Sequence, residues 1–233
     1  MTLTQRPGSP AQPPVPQRKA VIPMKKEKNS LKSIVYQETL DGIIRGEYKA
    51  DQILNEAELV EKFGFSKSPV REALIALCNE GVLKNIPRYG YQVVRLTGRD
   101  VEEILRYRLI LESGLLREGA AHVTDAYLSR LEQLDALCNA TVDDMWVHWE
   151  HNVNFHLALV SCSGNAYAAG QLKKTMDILK RAYAQFYWDK WDRQNNPFDM
   201  GNHQQIIACL KAGDLEGALE HLSLDFQDFH TIS

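Results

Sequence analysis

The stretch from residue 55 to residue 96 constrains the fold more than any other part of this 233-residue chain. Asn55 can cap a helix, and Glu58 stands three residues on, as in a capping box. Gly64 stops that helix after Phe63. Ser66 then caps a further helix with Pro69 in its first turn, where a missing N–H costs little. Val70, Ala73, Leu74 and Leu77 recur at helical spacing, so one face of it must pack inward. The helix stops at Gly81, and two short β-like runs, 82–86 and 91–96, flank the turn Pro87-Arg88-Tyr89-Gly90. Upstream, residues 30–46 open on the cap Ser30 and carry Leu31, Ile34, Val35, Thr39, Ile43 and Ile44 on one period. A polar turn ending near Leu54 connects the two parts. Three helices, the last two joined by a tight Gly turn, then a two-stranded ribbon, make the order of a winged helix-turn-helix.

The polar residues of this unit suit a polyanion. Lys67 and Arg71 lie off the apolar stripe of the third helix, and Ser66 and Ser68 sit beside them at its N-terminus. A helix start with two cations and two hydroxyls fits phosphate and base-edge contact in a major groove. Arg88, at the ribbon tip, would reach a neighbouring minor groove or the backbone. Charge divides accordingly: residues 1–97 hold 15 Lys/Arg against 10 Asp/Glu, and residues 98–233 hold 12 against 20. Residues 1–28 contain six prolines and the cluster Lys25, Lys26, Lys28, which reads as a disordered basic arm. Such an arm is either a solvated terminus or a source of non-specific phosphate contacts.

From residue 98 onward the pattern is helical, roughly 98–122, 125–140, 143–163, 166–190, 198–212 and 214–231, with no strand signal. The fold class is therefore mainly α: a winged helix-turn-helix over 29–97 and an antiparallel six-helix bundle over 98–233. No apolar run approaches the ~20 residues a membrane helix needs. The four cysteines, Cys78, Cys138, Cys162 and Cys209, form no CxxC pair. Both features fit a cytoplasmic protein with no membrane partner.

Four of these helices place polar groups on apolar stripes. Arg108 falls among Val101, Ile104, Leu111 and Leu115. Asn152 and His156 flank Phe155, Leu159 and Cys162. His203 heads Ile206, Ile207 and Leu210, and Asp225 interrupts Ala218, Leu222 and Phe229. Buried singly, each costs several kcal/mol, on the order of the penalty for an unpaired polar group, unless it finds partners. Each taken alone can be a hydrogen-bonded core residue; taken together, they can face one pocket. Imidazole plus carboxylate there suits a divalent metal: Zn, Ni or Fe through nitrogen, Mn or Mg through oxygen. The aromatics Tyr183, Phe186, Tyr187, Trp188 and Trp191 are either core, pocket wall or dimer surface.

Two segments carry a resemblance. Asn55-Glu56-Ala57-Glu58-Leu59, Phe63-Gly64-Phe65-Ser66-Lys67-Ser68-Pro69-Val70-Arg71-Glu72-Ala73-Leu74, Glu80-Gly81-Val82-Leu83 and Gly90-Tyr91-Gln92-Val93 resemble the GntR family of bacterial transcriptional regulators. The resemblance implies that Arg71 reads a guanine, that Lys67 replaces a more usual Arg, and that Tyr89-Gly90 form the wing tip. Ala57 stands where many relatives carry another DNA-contacting Arg. Lys lacks the planar fork, so base reading at Lys67 is looser.

Residues 98–231 resemble the helical effector domain, FCD, of the fatty-acid-regulator subfamily. The matching runs are Arg108-Leu109-Ile110-Leu111-Glu112, Phe155-His156 with Ser163-Gly164-Asn165, and His203 with Gly213-Asp214. Metal-binding members use one Asp and three His; here those positions hold Asn152, His156, His203 and Asp225, so two of four depart. His148 and His221, one turn from Asn152 and Asp225, are substitute donors. With or without metal (Zn, Ni, Mn or Fe), Arg108, His148 and His221 would meet a small organic-acid effector.

The resemblance implies a homodimeric, effector-controlled repressor on a near-palindromic operator of double-stranded DNA. Two other classes compete. One is a constitutive DNA binder with a vestigial pocket. The other is a metal-dependent enzyme with a DNA-binding head, for which no well-placed nucleophile or general base stands out.

Overall fold

A computed structural model of the chain describes residues 30–142, 144–187 and 201–226. The basic arm 1–28 and Trp188, Trp191 and Phe229 lie outside the described residues. The first part runs α1 (Leu31–Ile44), β1 (Ile53–Leu54), α2 (Glu56–Phe63), α3 (Lys67–Asn79), β2 (Leu83–Ile86) and β3 (Gly90–Val93). The expected ribbon is one part of a three-stranded antiparallel sheet in the order β1-β3-β2. β1 pairs Leu54 with Tyr91, and β2 pairs Leu83 with Val93. The extra strand escaped sequence reading because two residues are too few to show alternation.

Caps explain the helix limits. Ser30 accepts from the Ser33 N–H at 3.1 Å. Asn55 accepts from the Ala57 N–H at 2.8 Å, so its side chain turns to the second helical residue and not to Glu58 as a capping box would require. Gly64 ends α2 at φ 66°, a left-handed turn that L side chains resist. Val70, Ala73, Leu74 and Leu77 are all fully buried, as the stripe requires. They pack with Val35, Ile43, Leu54, Leu59 and Val93 into a core of their own.

The second part is all helix among the described residues: α4 (Gly98–Gly119), α5 (Asp125–Ala140), α6 (Met145–Val160), α7 (Ala166–Tyr187), α8 (Gly201–Ala212) and α9 (Leu215–Asp225). Short 3-10 turns at residues 120–122 and 161–163 replace the predicted ends of α4 and α6. α4 begins in a full capping box between Thr97 and Asp100. A separate core forms around Leu116, Leu131, Phe155, Leu159, Leu172, Met176 and Leu222, each contributing about 1.5–3 kcal/mol by burial. Tyr183 belongs to it, 5.0 Å from the Trp149 ring, and Phe186 packs against it.

α1 packs against α7, and Gln185 of α7 also holds the segment that connects the two parts. The Leu96 N–H donates to Gln185 Oε1 at 3.0 Å, and Gln185 Nε2 donates to the Val94 carbonyl at 2.8 Å. α7 thus satisfies the backbone of the connecting segment as a neighbouring strand would.

Candidate functional site

Of the polar groups read from the stripes of α4, α6, α8 and α9, Arg108, His156, His203 and Asp225 converge, while Asn152 is buried on the same helix as His156. Arg108 and Glu112, one turn apart on α4, are both fully buried, and Arg108 Nε donates to Glu112 Oε1 at 2.9 Å. The other Glu112 oxygen accepts from His156 Nδ1 on α6 at 2.7 Å. That bond aims His156 Nε2 at Asp225 Oδ2, 3.3 Å away at the end of α9. Asp225 Oδ1 is 3.7 Å from His203 Nε2 on α8, and His203 Nδ1 is 3.8 Å from Asp135 Oδ1 on α5. The His203 ring stacks on Phe155 at 3.7 Å. Phe226 lies against both the Arg108 guanidinium, at 4.4 Å, and the His156 ring, at 5.8 Å.

Electrostatics sets the charge states. Burial pushes Glu112 and Asp225 upward, but their neighbours win: the charges of His156 and Arg108 hold Glu112 below its ordinary value, and the hydrogen bond from His156, with the charges of His156 and Arg108, does the same for Asp225. Burial opposes the charged form of His156, yet Glu112 and Asp225 push its pKa up. His203 is different. Burial pulls it down to about 3, so it is neutral and offers a lone pair.

Several of these atoms have no hydrogen-bond partner among the described residues. They are Arg108 Nη1 and Nη2, Asn152 Oδ1, His156 Nε2, both His203 nitrogens and Asp225 Oδ2. Buried groups in that condition cost ~1–3 kcal/mol each unless something else completes them. One donor atom from each of His156, His203 and Asp225 lies within 4.8 Å of the other two. Two imidazoles and a carboxylate fit a divalent first-row metal. The Glu112–His156 bond fixes the ring as an outer carboxylate does for a ligating histidine.

The remaining expected residues stand further out. His148 Nδ1 donates to the Cys138 carbonyl at 3.0 Å, so that nitrogen serves α5. His221 is half-buried and lies outside the three-residue donor group, although its Nδ1 lacks a partner. A cleft of about 230 Å³ between α6 and α7, lined by Trp149, Val153, Lys173 and Lys180 among others, excludes all these residues. Its lysines are matched by Asp177 and Glu150, so it has no charge to offer an anion. The buried cluster is the better site on chemistry: Arg108, Glu112, His156 and His203 are fully buried, and Asn152 and Asp225 nearly so.

Stripe reading missed Glu112, Asp135 and Phe226. Glu112 had a signal, because it stands one turn after Arg108 on the same face. The buried stripe of α4 is in fact Val101, Leu105, Arg108, Glu112, Leu115 and Leu116; Ile104 and Leu111 are only half-buried.

On the first part, Ser66, Lys67, Ser68 and Arg71 share the exposed start of α3. Ser66 makes no side-chain cap bond, so its hydroxyl is not spent on the helix. Ser68 Oγ donates to Glu72 at 2.9 Å. Arg71 forms a two-pronged pair with Glu56, Nε to Oε2 at 3.0 Å and Nη2 to Oε1 at 2.8 Å. Lys67 and Arg88 form no ion pair among the described residues. Gly90 must be glycine for packing: its φ is 134°, and an added Cβ would meet the Leu54 carbonyl at 2.5 Å.

Tyr89 is 69% exposed beside Arg88, which sits at φ 70°, a region costly for a side chain. Arg88→Gly is therefore expected to stabilise the fold by about 1 kcal/mol in urea unfolding. A loss of stability would mean that the Arg88 side chain itself holds the turn.

Comparison with known proteins agrees with this geometry. The FCD domain family matches residues 103–227, and the bacterial regulatory proteins of the gntR family match residues 31–93. The chain is 29% identical over 196 residues to the HTH-type transcriptional regulator YdhC of Bacillus subtilis, covering 82% of this chain and 85% of that protein. It is 28% identical to the gluconate operon transcriptional repressor of Bacillus licheniformis, covering 80% and 78%. Among solved structures, E. coli McbR/YncC shares the fold with a TM-score of 0.66 and 24% identity, over 85% of this chain and 94% of that one. YdhC and the gluconate operon protein are named as a transcriptional regulator and a transcriptional repressor, and with the two family matches they indicate a transcription regulator rather than an enzyme. No helix among the described residues is long and apolar enough to cross a membrane.

Proposed function

The chain belongs to the bacterial GntR-family transcriptional regulators that carry an FCD domain, and from that membership we propose that it is a homodimeric repressor released by a small carboxylate. It binds DNA through residues 29–97 and senses the carboxylate through residues 98–233. The observation that carries the effector reading is Arg108: fully buried, with both Nη atoms unpartnered, beside the donor group His156, His203 and Asp225. A guanidinium in that state is a site for a carboxylate. The relative named for a gluconate operon points to the same chemistry, a sugar acid.

His156, His203 and Asp225 would hold a divalent cation, with Asn152 contributing a neutral oxygen. When bound, that cation supplies positive charge and a coordination position for a carboxylate oxygen. The chain's own residues do the rest. Arg108 orients the anion, Glu112 keeps Arg108 and His156 in register, and the packed helices exclude water. An effector reaches a closed cluster only by favouring a more open arrangement of α4, α6, α8 and α9. It changes DNA affinity only by binding one arrangement of the heads better than the other. Gln185 supports a route for this, because it joins α7 to the segment leading into the DNA head.

In the head, Arg71 reads a base edge, and Ser66, Lys67, Ser68, Arg88 and Tyr89 contact the backbone and grooves of a near-palindromic operator. The test uses duplexes enriched from a random pool by the wild-type protein. Arg71→Ala is expected to cost about 1–3 kcal/mol of discrimination between an enriched and a shuffled duplex. Equal losses on both duplexes would make Arg71 a phosphate contact. Titrating sugar acids into the enriched complex tests the effector: failure of every one to release DNA would leave a constitutive binder.

A further inference from the structure

We propose that Glu56 is a positioning residue for base reading, holding Arg71 so that only one edge of its guanidinium is presented to DNA. This rests on the reading above that Arg71 meets a base. Arg71 has two forks of donors. Glu56 occupies the side fork, accepting from Nε at 3.0 Å and from Nη2 at 2.8 Å. The end fork, Nη1 with the outer hydrogen of Nη2, is left over, and it has the spacing that spans guanine O6 and N7. A planar bidentate pair also fixes the plane of the group, which one bond would not.

The surroundings support a directed role. Glu56 is the first residue of α2, where the helix dipole favours a carboxylate. Its side chain is only 20% exposed, whereas that of Arg71 is 59% exposed, so the anchor is set back and the reader stands forward. An ion pair this open contributes little to stability, so folding alone does not explain it. The pair also opposes misplacement. If Arg71 swings to a phosphate, it abandons Glu56 and leaves a bare carboxylate facing the DNA backbone. Lys67 and Arg88, with no ion pair among the described residues, have no such restraint and suit phosphate.

The experiment measures affinity by fluorescence anisotropy for an enriched duplex and its shuffled counterpart, at fixed salt, with circular dichroism melting to verify the fold. Glu56→Gln is expected to lower the ratio of the two affinities about tenfold, weakening the enriched duplex while shuffled DNA binds as well or better. Glu56→Asp keeps the charge but not the reach, and it is expected to behave like the Gln variant. In an Arg71→Ala background, Glu56→Gln should leave the ratio unchanged, because the group it positions is gone. An unchanged ratio in the single variant, equal tightening on both duplexes, or the same fall in the Arg71→Ala background would each overturn the proposal. If Arg71→Ala itself leaves the ratio intact, base reading by Arg71 has failed, and the role of Glu56 falls with it.

Discussion

Glu112→Ala is expected to destabilise the protein by about 3–5 kcal/mol, the cost of breaking a buried ion pair from one side. Glu112 is the only described carboxylate hydrogen-bonded to both Arg108 and His156, and all three side chains are fully buried. Its removal leaves a permanently charged guanidinium with none of the hydrogen bonds it now makes. His156 can lose its proton, but Arg108 cannot. Urea unfolding at neutral pH measures the effect. A loss below about 1 kcal/mol would mean that another group already neutralises Arg108. The pH dependence gives a second reading. Glu112 and Asp225 are held below their ordinary values of 4.5 and 3.8 by the neighbouring cations. A depressed carboxylate contributes stability that is fully present above its unfolded value and is lost as pH falls through the folded one. Wild-type stability should therefore fall in acid below those values, and Glu112→Ala should flatten that fall.

The second large effect concerns the donor group. Protein purified without chelators or nickel resin is expected to carry about one equivalent of a divalent metal per chain, and His156→Ala to carry none. His156 is the pivot because Glu112 fixes it on one side and Asp225 faces its free nitrogen on the other. Metal at a hundred times its Kd should stabilise the wild type by about 2.7 kcal/mol, read as a rise in Tm on adding metal to stripped protein. Asn152→Asp should enlarge that rise, because it replaces a weak neutral donor by a carboxylate on the buried face of α6. Folded wild-type protein with no metal and no response to it would mean that Asn152 and Asp225 have ended cation binding here. Arg108 would then hold the carboxylate without help.

Much of the DNA head was legible because its signals are local. Gly64 demands a left-handed backbone, Ser66 and Pro69 mark a helix start, and Val70, Ala73, Leu74 and Leu77 repeat within a few turns. Each follows from residues close in sequence, so neighbours alone decide it. β1 was not legible, since Ile53 and Leu54 become a strand only by pairing with β3, nearly forty residues downstream. Gly90 shows a related limit. In the sequence it is a turn residue, but in the fold the nearby Leu54 carbonyl excludes any side chain.

In the effector domain, periodicity determined that Arg108, Asn152, His156, His203 and Asp225 would point inward, and all five are buried. It could not determine who faces whom. Spacing within a helix fixes a residue's direction, whereas partners depend on how helices far apart in sequence are packed. Only packing brought His156 to Glu112, turned His148 Nδ1 toward the Cys138 carbonyl, and laid Phe226 against the guanidinium. The same holds for Arg71, which the sequence marked as a cation at a helix start. That its side fork is already taken by Glu56 depends on the angle between α2 and α3. The sequence determined which residue types lie on which face, because a helix repeats its own geometry; tertiary structure alone decided which of those groups meet, because charge and hydrogen bonding act over a few ångströms of space.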